Sequence, residues 1–492
     1  MSKKIIYLLS LLMALSLVFA SCKKNDGITG GNINGNPPEE GGDTSMTDPG
    51  TGLMPDWESI TKEGYINKIT VFKPTTTDFY RNPVIVVLGE KNNKVAVFTE
   101  KRYLANGGVN DVGITGELVV DIAYTVSGNS GNSFKNENFV NPGNSPTTVK
   151  ENAHGAPVVF KVANNKVIIV ASAGAGIGRV NQTYEERKGT MPSRIDYIEG
   201  TFNEDSNDFT WTDWKTILKD ELGAKVATIN SGNQSIKFNQ FATHTAKGVV
   251  SDAKDKIYVP VVMAFQGKID DAYELMGTIM VTGTLSGGSV NKWEMGDSIA
   301  FTKANDKFSN YKESRFILTT SSDVTYLAVP NPSYATVVAE GSISVTSGSS
   351  PQQPVQTALP ANEGSPAFID FGLDKWYGYR QYKINPTTFQ MEKDTQDPIQ
   401  NRGLYMHVKD QYKNVTLYLV DTTDSAKIKQ LDGSTPKLIN PQGKSSSTDM
   451  LGDGTIVIAA EEGAKSGEKD FYVSFTRYGQ EALAKELGET VK

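Results

Sequence analysis

The sequence predicts an all-β protein folded as a six-bladed β-propeller. Short β-branched runs occur in pairs, a polar turn separates the two members of a pair, and the pairs recur about every 50 to 90 residues. Alternating hairpins at this spacing are typical of four-stranded propeller blades. The runs lie at residues 84–88 with 95–98, 158–162 with 167–171, 249–250 with 257–262, 316–319 with 325–329, 367–371, and 450 with 455–459. A two-sheet sandwich is the alternative that short strands leave open.

The N-terminus has the features of an export signal. Lys3 and Lys4 precede an uncharged apolar stretch over residues 5–18, and the small residues Ala20 and Ser21 lead into Cys22. The apolar stretch is shorter than a membrane-spanning helix, which needs about 20 residues. The order of these features predicts a secretory signal peptide over residues 1–21.

Cys22 is the single cysteine of the chain. Its position after small residues resembles the lipobox of bacterial lipoproteins, which implies lipidation of this thiol and anchoring at the outer membrane or cell surface. Residues 22–60 are rich in Gly, Asn, Pro and Asp, which predicts a flexible tether. We assign residues 61–492 to the propeller. With no second cysteine to form a disulfide, its stability must come from its core.

Composition excludes two classes of partner. The formal net charge is −7, and the basic residues form no cluster of the kind that binds nucleic acid. The three histidines, His154, His244 and His407, lie far apart and in no metal-binding spacing. We therefore expect no nucleic acid, no metal and no other cofactor.

Four segments together resemble the sialidase (neuraminidase) family and its Asp-box repeats. "FYRNPVIVV" from residue 79 and "VAVFTEKR" from residue 95 resemble the family's Phe-Arg-Ile-Pro opening and its Glu-x-Arg motif. "SGNSGNSF" (127–134) and "DFTWTDWKTI" (208–217) resemble Asp-boxes. "KSSSTDMLGDGTIVIAAEEG" (444–463) matches the spacing of a late family segment. The resemblance implies a sialidase-type propeller.

The resemblance also implies where a sugar carboxylate would bind. A sialic acid carries a carboxylate, which the planar guanidinium of arginine binds through two hydrogen bonds. Arg81 corresponds to the family's first carboxylate-binding arginine, held by Glu461, and Arg102 completes the Glu-x-Arg motif. Arg402 is the candidate for the last arginine. The middle arginine is expected near Val329 and is missing there.

The implied catalytic set is also incomplete. Asp111 stands where the family places its general acid, and Glu313 where it places the glutamate that activates the nucleophile. The family's nucleophile is a tyrosine, and Ser445 occupies its position. A serine hydroxyl is shorter and less acidic than a phenol, although Tyr377 or Tyr379 could supply a substitute.

Two functions follow from this pattern. The first is a lipid-anchored sialidase that acts on sialylated or other acidic glycans. The second is a non-catalytic propeller that binds glycan or protein for an outer-membrane nutrient-uptake system. Ser445 and the missing arginine favour the second function, and the family resemblance favours the first.

Overall fold

The structure is a computed structural model in which all described residues belong to one unit of the chain, Asp43–Lys492. The described residues are 66–103, 120–140, 152–174, 193–218, 221–222, 226–229, 234–237, 240–251, 253–265, 275–302, 315–318, 323–327, 344–346, 356–357, 369–373, 382–384, 391–393, 402–410, 413–421, 427–430, 432–435, 437–440, 443–452, 455–463, 471–478 and 486–488. The predicted signal peptide and tether, including Cys22, lie outside them.

The described residues form β-strands almost throughout. In the first half of the chain the strands are β1 Ile66–Phe72, β2 Asp78–Leu88, β3 Lys94–Tyr103, β4 Val120–Ser127, β5 Asn138–Phe139, β6 His154–Ala163, β7 Lys166–Ala173, β8 Arg194–Asn203, β9 Asp208–Trp211, β10 Lys215–Thr216, β11 Val226–Ile229, β12 Gln234–Lys237, β13 Gln240–Ala242, β14 Ala246–Lys247 and β15 Val249–Val250. In the second half they are β16 Lys256–Phe265, β17 Leu275–Ser286, β18 Ser289–Thr302, β19 Arg315–Leu318, β20 Asp323–Leu327, β21 Ser344–Thr346, β22 Gln356–Thr357, β23 Ile369–Leu373, β24 Tyr382–Ile384, β25 Met391–Lys393, β26 Arg402–Asp410, β27 Lys413–Asp421, β28 Lys427–Gln430, β29 Lys437–Asn440, β30 Gly443–Met450, β31 Ile456–Glu462 and β32 Tyr472–Tyr478.

Six sheets of three or more strands follow one another along the described part of the chain. Sheet I is β2-β3-β4-β5, sheet II is β10-β8-β7-β6-β14 with β9 on β8, and sheet III is β13-β16-β17-β18 with β15 on β16. Sheet IV is β19-β20-β21, sheet V is β22-β28-β27-β26-β23 with β29 on β27, and sheet VI is β1-β32-β31-β30. The pairs β11-β12 and β24-β25 are separate.

The six sheets are arranged as a closed ring. Contacts between strands of neighbouring sheets run around the ring, namely β2–β6, β6–β15, β16–β19, β19–β23, β23–β30 and β30–β2. The N-terminal strand β1 pairs antiparallel with β32, so the beginning of the domain completes the last sheet. This closure covers edges that would otherwise be open to pairing with other chains. The all-β six-bladed propeller is confirmed, and the sandwich alternative is wrong.

The core lies between neighbouring sheets. One cluster joins sheets I and II through residues such as Val86, Phe98 and Ile169, and another joins sheets I and VI through residues such as Val87 and Phe475. Because sheet I is covered on both faces, both sets of alternating side chains of β2 are apolar. This explains continuous apolar runs such as that of β2.

The predicted Asp-box turn at residues 127–134 lies between β4 and β5. The Ser127 hydroxyl accepts the Gly131 N–H at 2.8 Å, and Asn129 Oδ1 accepts the Ser133 N–H at 3.0 Å. Gly131 has a φ of 82°, and a Cβ there would lie 2.3 Å from the Phe475 ring. Only glycine fits this contact, which ties sheet I to sheet VI.

No helix among the described residues is long and apolar enough to cross a membrane.

Candidate functional site

A group of buried polar residues collects at the end of the ring where β2 and β6 begin and where β3 and β31 finish. We call Arg81, Asn82, Glu100, Arg102 and Glu461 the arginine cluster. The cluster joins sheets VI, I and II, and both of its glutamate side chains are fully buried. Buried carboxylates require charged or hydrogen-bonding partners, and each glutamate has them.

Arg81 is held on two sides. Its Nε lies 2.8 Å from Glu461 Oε1, an ion pair that lacks hydrogen-bond geometry. Its guanidinium carbon lies 4.2 Å from the centre of the Phe471 ring, within cation–π range. No described residue accepts a hydrogen bond from its two Nη groups, and the side chain is 10% exposed. The predicted pairing of Arg81 with Glu461 is therefore present in the structure, and the Nη fork has hydrogen-bond donors to spare.

Asn82 connects the two glutamates. Its backbone N–H donates to Glu461 Oε2 at 2.8 Å, and its side-chain amide donates to Glu100 Oε2 at 3.1 Å. Its φ of 55° lies in the left-handed region, which asparagine tolerates better than most residues. The sequence prediction did not single out Asn82.

Glu100 binds Arg102 and reaches the neighbouring sheet. Its Oε2 accepts hydrogen bonds from Arg102 Nε, at 2.9 Å, and from Arg102 Nη2. Its Oε1 accepts the backbone N–H of Ala156 at 2.6 Å. Arg102 is therefore committed to a glutamate two residues away on the same strand face. Arg102 and Asn82 share Glu100 Oε2 as acceptor, so this buried second arginine is linked to the residue that follows Arg81.

Two backbone irregularities aim N–H groups at these glutamates. The β2–β3 register shifts between Arg81 and Val84, and the β6–β7 register shifts between Gly155 and Val158. At each shift a residue before proline has a positive φ, namely Asn82 and Ala156, whose φ is 49°. Positive φ is strained for alanine, and such strain concentrates at functional sites.

Ser445 lies on β30, beside the start of β2. On the same face of β30, Ser447 Oγ accepts the Ile85 N–H at 3.1 Å and Asp449 Oδ2 accepts the Val87 N–H at 2.8 Å. This two-residue period does not extend to Ser445, because the β30–β31 register shifts between Gly443 and Ser446. Ser445 is 5% exposed. The predicted nucleophile position therefore lies within this shift, close in register to Glu461, the partner of Arg81.

A second polar group, which sequence reasoning missed, lies on sheet II at the same end. His154 Nε2 lies 3.0 Å from Asp196 Oδ2, and Arg194 Nε donates to the same oxygen at 2.9 Å. The His154 ring stacks on Trp214 with 3.8 Å between centroids. Burial alone would raise the pKa of Asp196, but His154 and Arg194 outweigh burial and hold it below its usual value. One signal could have found this group: His154 lies just before Pro157 at the start of β6, much as Arg81 lies just before Pro83 near the start of β2.

Two tyrosines of sheet I, the buried Tyr80 and the half-buried Tyr103, donate hydrogen bonds to carboxylates. The Tyr80 hydroxyl donates to Glu137 at 2.5 Å, and the Tyr103 hydroxyl donates to Asp121 at 2.5 Å. Burial first, and then these carboxylates, raise the pKa of each phenol well above its usual value. Both phenols are therefore protonated at neutral pH.

Several predicted residues lie outside the described part of the chain. Asp111 belongs to residues 104–119, which lie between β3 and β4 in the sequence, and Glu313 lies two residues before β19. The backbone of Arg402 is described as the first residue of β26, opposite Asp421. Tyr377, Tyr379 and Val329 are not described. The roles assigned to these residues stay predictions. The described residues contain no group of three metal-binding side chains.

Comparison with known proteins locates the fold. No family model matches the chain, and no curated protein matches it. Among solved structures, the leech intramolecular trans-sialidase complexed with 2,7-anhydro-Neu5Ac has a TM-score of 0.51 and 11% identity, over 86% of this chain and 71% of that one. At such identity the likeness concerns the fold alone, which is all-β and of the sialidase type.

Two further solved structures are similar. The Hadza microbial sialidase Hz136 has a TM-score of 0.49 and 12% identity, over 81% of this chain and 65% of that one. The intramolecular trans-sialidase from Ruminococcus gnavus, in complex with oseltamivir carboxylate, has a TM-score of 0.49 and 10% identity, over 88% of this chain and 99% of that one.

Proposed function

We propose that the protein recognises sialylated glycans by binding the sugar carboxylate at Arg81. The observation that supports this function is the state of the Arg81 guanidinium. Glu461 and Phe471 fix its position, while no described residue uses its Nη groups. A pre-positioned guanidinium binds a carboxylate through two parallel hydrogen bonds and loses little side-chain entropy in doing so. Arg102 belongs to the same cluster, and Glu100 already binds it.

A matched pair of ligands tests this function. Methyl α-sialoside carries the free carboxylate, and its methyl ester is nearly the same shape without the charge. We expect calorimetric titration to give at least about tenfold weaker binding of the ester, because a charge-assisted pair is lost. Equal affinities for the two ligands would contradict carboxylate recognition.

We propose that the protein hydrolyses sialosides only slowly. Supporting this, the family resemblance assigns the nucleophile position to Ser445, and a serine hydroxyl is shorter and less acidic than a phenol. Asp111 as acid and Glu313 as base would then act without a covalent route, and each lost catalytic function costs roughly a hundredfold in rate. A fluorogenic sialoside should be cleaved slowly, and Ser445→Tyr should cleave it faster. Turnover by the unmodified protein equal to that of a complete sialidase would show that another residue, such as Tyr377 or Tyr379, attacks.

The second candidate function is a binding propeller of an outer-membrane nutrient-uptake system, without catalysis. Ser445 favours it for the same reason. In that case binding of methyl α-sialoside persists, the release assay gives no product, and Ser445→Tyr changes nothing. We also propose that the turn at residues 127–134 is an Asp-box. The hydrogen bonds that Ser127 and Asn129 accept within this turn support that identity.

We also propose that Cys22 anchors the protein to the outer membrane or cell surface. The small residues before Cys22 and the polar segment after it support this location. Cys22→Ala should move the protein from the membrane fraction to the soluble fraction without changing its thermal unfolding midpoint, since residues 22–60 are assigned to a tether. Lys23→Ala is the neighbouring control. Membrane association of Cys22→Ala would refute the anchor.

A further inference from the structure

A second charged group lies at the opposite end of the same strands. We call Asn92, Lys161, Lys247, Lys254 and Asp449 the lysine cluster. Lys161 lies near the end of β6 and Asp449 near the end of β30, whereas the arginine cluster lies near the beginning of β2. Lys247 lies on β14, which pairs with β6, and Lys254 lies in the turn between β15 and β16. The lysine cluster therefore joins sheets I, II, III and VI.

Lys161 is a largely buried cation with few partners. Its Nζ donates to Asn92 Oδ1 at 2.8 Å, and this is the one acceptor among the described residues. A lysine ammonium has three donors, so two are left for other groups. Burial lowers the pKa of Lys161 to about 8, with Asp449 opposing the change and Lys247 and Lys254 adding to it.

Asp449 is already committed. Its Oδ2 lies 2.8 Å from Lys247 Nζ and also accepts the Val87 N–H at 2.8 Å. Its Oδ1 accepts the Met450 N–H at 2.9 Å. Among the described residues, Lys161 thus has no carboxylate of its own, because Asp449, the acid that favours its charged form, is the ion partner of Lys247. A partly buried excess of positive charge of this kind favours a compact anion as ligand.

We propose that the lysine cluster is a second binding site, for a doubly charged oxyanion such as a phosphate or sulfate group, with Lys161 as its central contact. Lysine suits this chemistry because it presents a point charge to a tetrahedral oxyanion and needs no planar geometry. The group can come from free phosphate, free sulfate or a sulfated or phosphorylated glycan. The site is separate from the arginine cluster and does not depend on sialoside binding.

The test uses sulfate, whose charge is constant across the working pH range. Calorimetric titration at pH 7, in chloride at constant ionic strength, compares the unmodified protein with Lys161→Gln, Arg81→Lys and Lys292→Gln. Lys292 is an exposed lysine on β18 and gives the same change in net charge. We expect Lys161→Gln to weaken sulfate binding by about tenfold or more, while the other two variants bind as the unmodified protein does.

Thermal unfolding and the pH dependence of sulfate binding complete the test. Lys161→Gln removes a buried charge and its repulsion from Lys247 and Lys254, so its thermal unfolding midpoint in chloride should not fall. Sulfate affinity of the unmodified protein should fall between pH 7 and 9.5, as Lys161 loses its proton, whereas that of Lys161→Gln should stay constant. Absence of sulfate binding, equal binding by all four proteins, or a loss confined to Arg81→Lys would each overturn the site.

Discussion

The two ends of the propeller handle positive charge differently. In the arginine cluster, Arg81 and Arg102 each face a fully buried glutamate that also accepts backbone N–H groups. In the lysine cluster, Lys161 faces an amide oxygen, and the carboxylate of Asp449 is shared with Lys247. Positive and negative charges are therefore balanced within the arginine cluster. A ligand there would be recognised by the planar shape and the hydrogen-bond donors of the Arg81 guanidinium. In the lysine cluster, the positive charge of Lys161 is itself available to attract a ligand.

The largest expected effect concerns the arginine cluster. Glu100→Ala leaves Arg102 buried without its carboxylate and removes the acceptor of the Ala156 N–H. We expect the free energy of unfolding to fall by about 3–5 kcal/mol, the cost of an uncompensated buried charge. Guanidinium unfolding measures it as a lower midpoint with an unchanged slope. Glu294→Ala, on the exposed pair with Lys292, is the control and should leave the midpoint unchanged. If the unfolding midpoint of Glu100→Ala equals that of the unmodified protein, Arg102 has found another partner.

A smaller effect on stability, dependent on pH, is expected at the lysine cluster. The pKa of Lys161 is about 8 in the folded protein, below the value of about 10.4 for an unfolded lysine. Between these values the unfolded chain binds the extra proton, so the stability of the folded state rises as pH rises. The unfolding free energy of the unmodified protein, relative to Lys161→Gln in chloride, should rise by about 1–2 kcal/mol from pH 8 to 9.5. A flat or falling difference would contradict the account of Lys161.

The smallest effect separates two serines on one strand between the clusters. Ser447→Ala leaves the buried Ile85 N–H without its acceptor and should cost about 1 kcal/mol of unfolding free energy. Ser445→Ala should cost less, within about 0.5 kcal/mol, because no described residue forms a hydrogen bond with the Ser445 hydroxyl. Chemical unfolding of the two variants side by side measures the difference. Equal costs would show that Ser445 also supports β2.

Much of the fold could be predicted because local pattern determines it. Paired apolar runs with polar turns predicted the hairpins β2–β3, β6–β7, β15–β16, β19–β20 and β30–β31. The contribution of β1 to sheet VI could not be predicted in this way, because that pairing joins residues about four hundred positions apart and depends on closure of the ring. Periodicity is a local signal, whereas closure is a tertiary event.

The site could be predicted only in part. The pairing of Arg81 with Glu461 came from motif resemblance and is present in the structure. Asn82 and Ala156 were missed because their importance lies in a positive φ and a backbone N–H, which residue identity does not reveal. His154 was set aside because the three histidines lie far apart and in no metal-binding spacing, whereas its partner Asp196 lies 42 residues away and is brought close by pairing within sheet II.

The most direct test of the central claim is the affinity of Arg81→Lys for methyl α-sialoside. Lysine keeps the charge beside Glu461, so folding should be retained, but it cannot form the planar pair of hydrogen bonds. We predict that calorimetry gives affinity at least about tenfold weaker than that of the unmodified protein, with Lys292→Gln unchanged. Unchanged affinity in Arg81→Lys would contradict carboxylate recognition by this guanidinium.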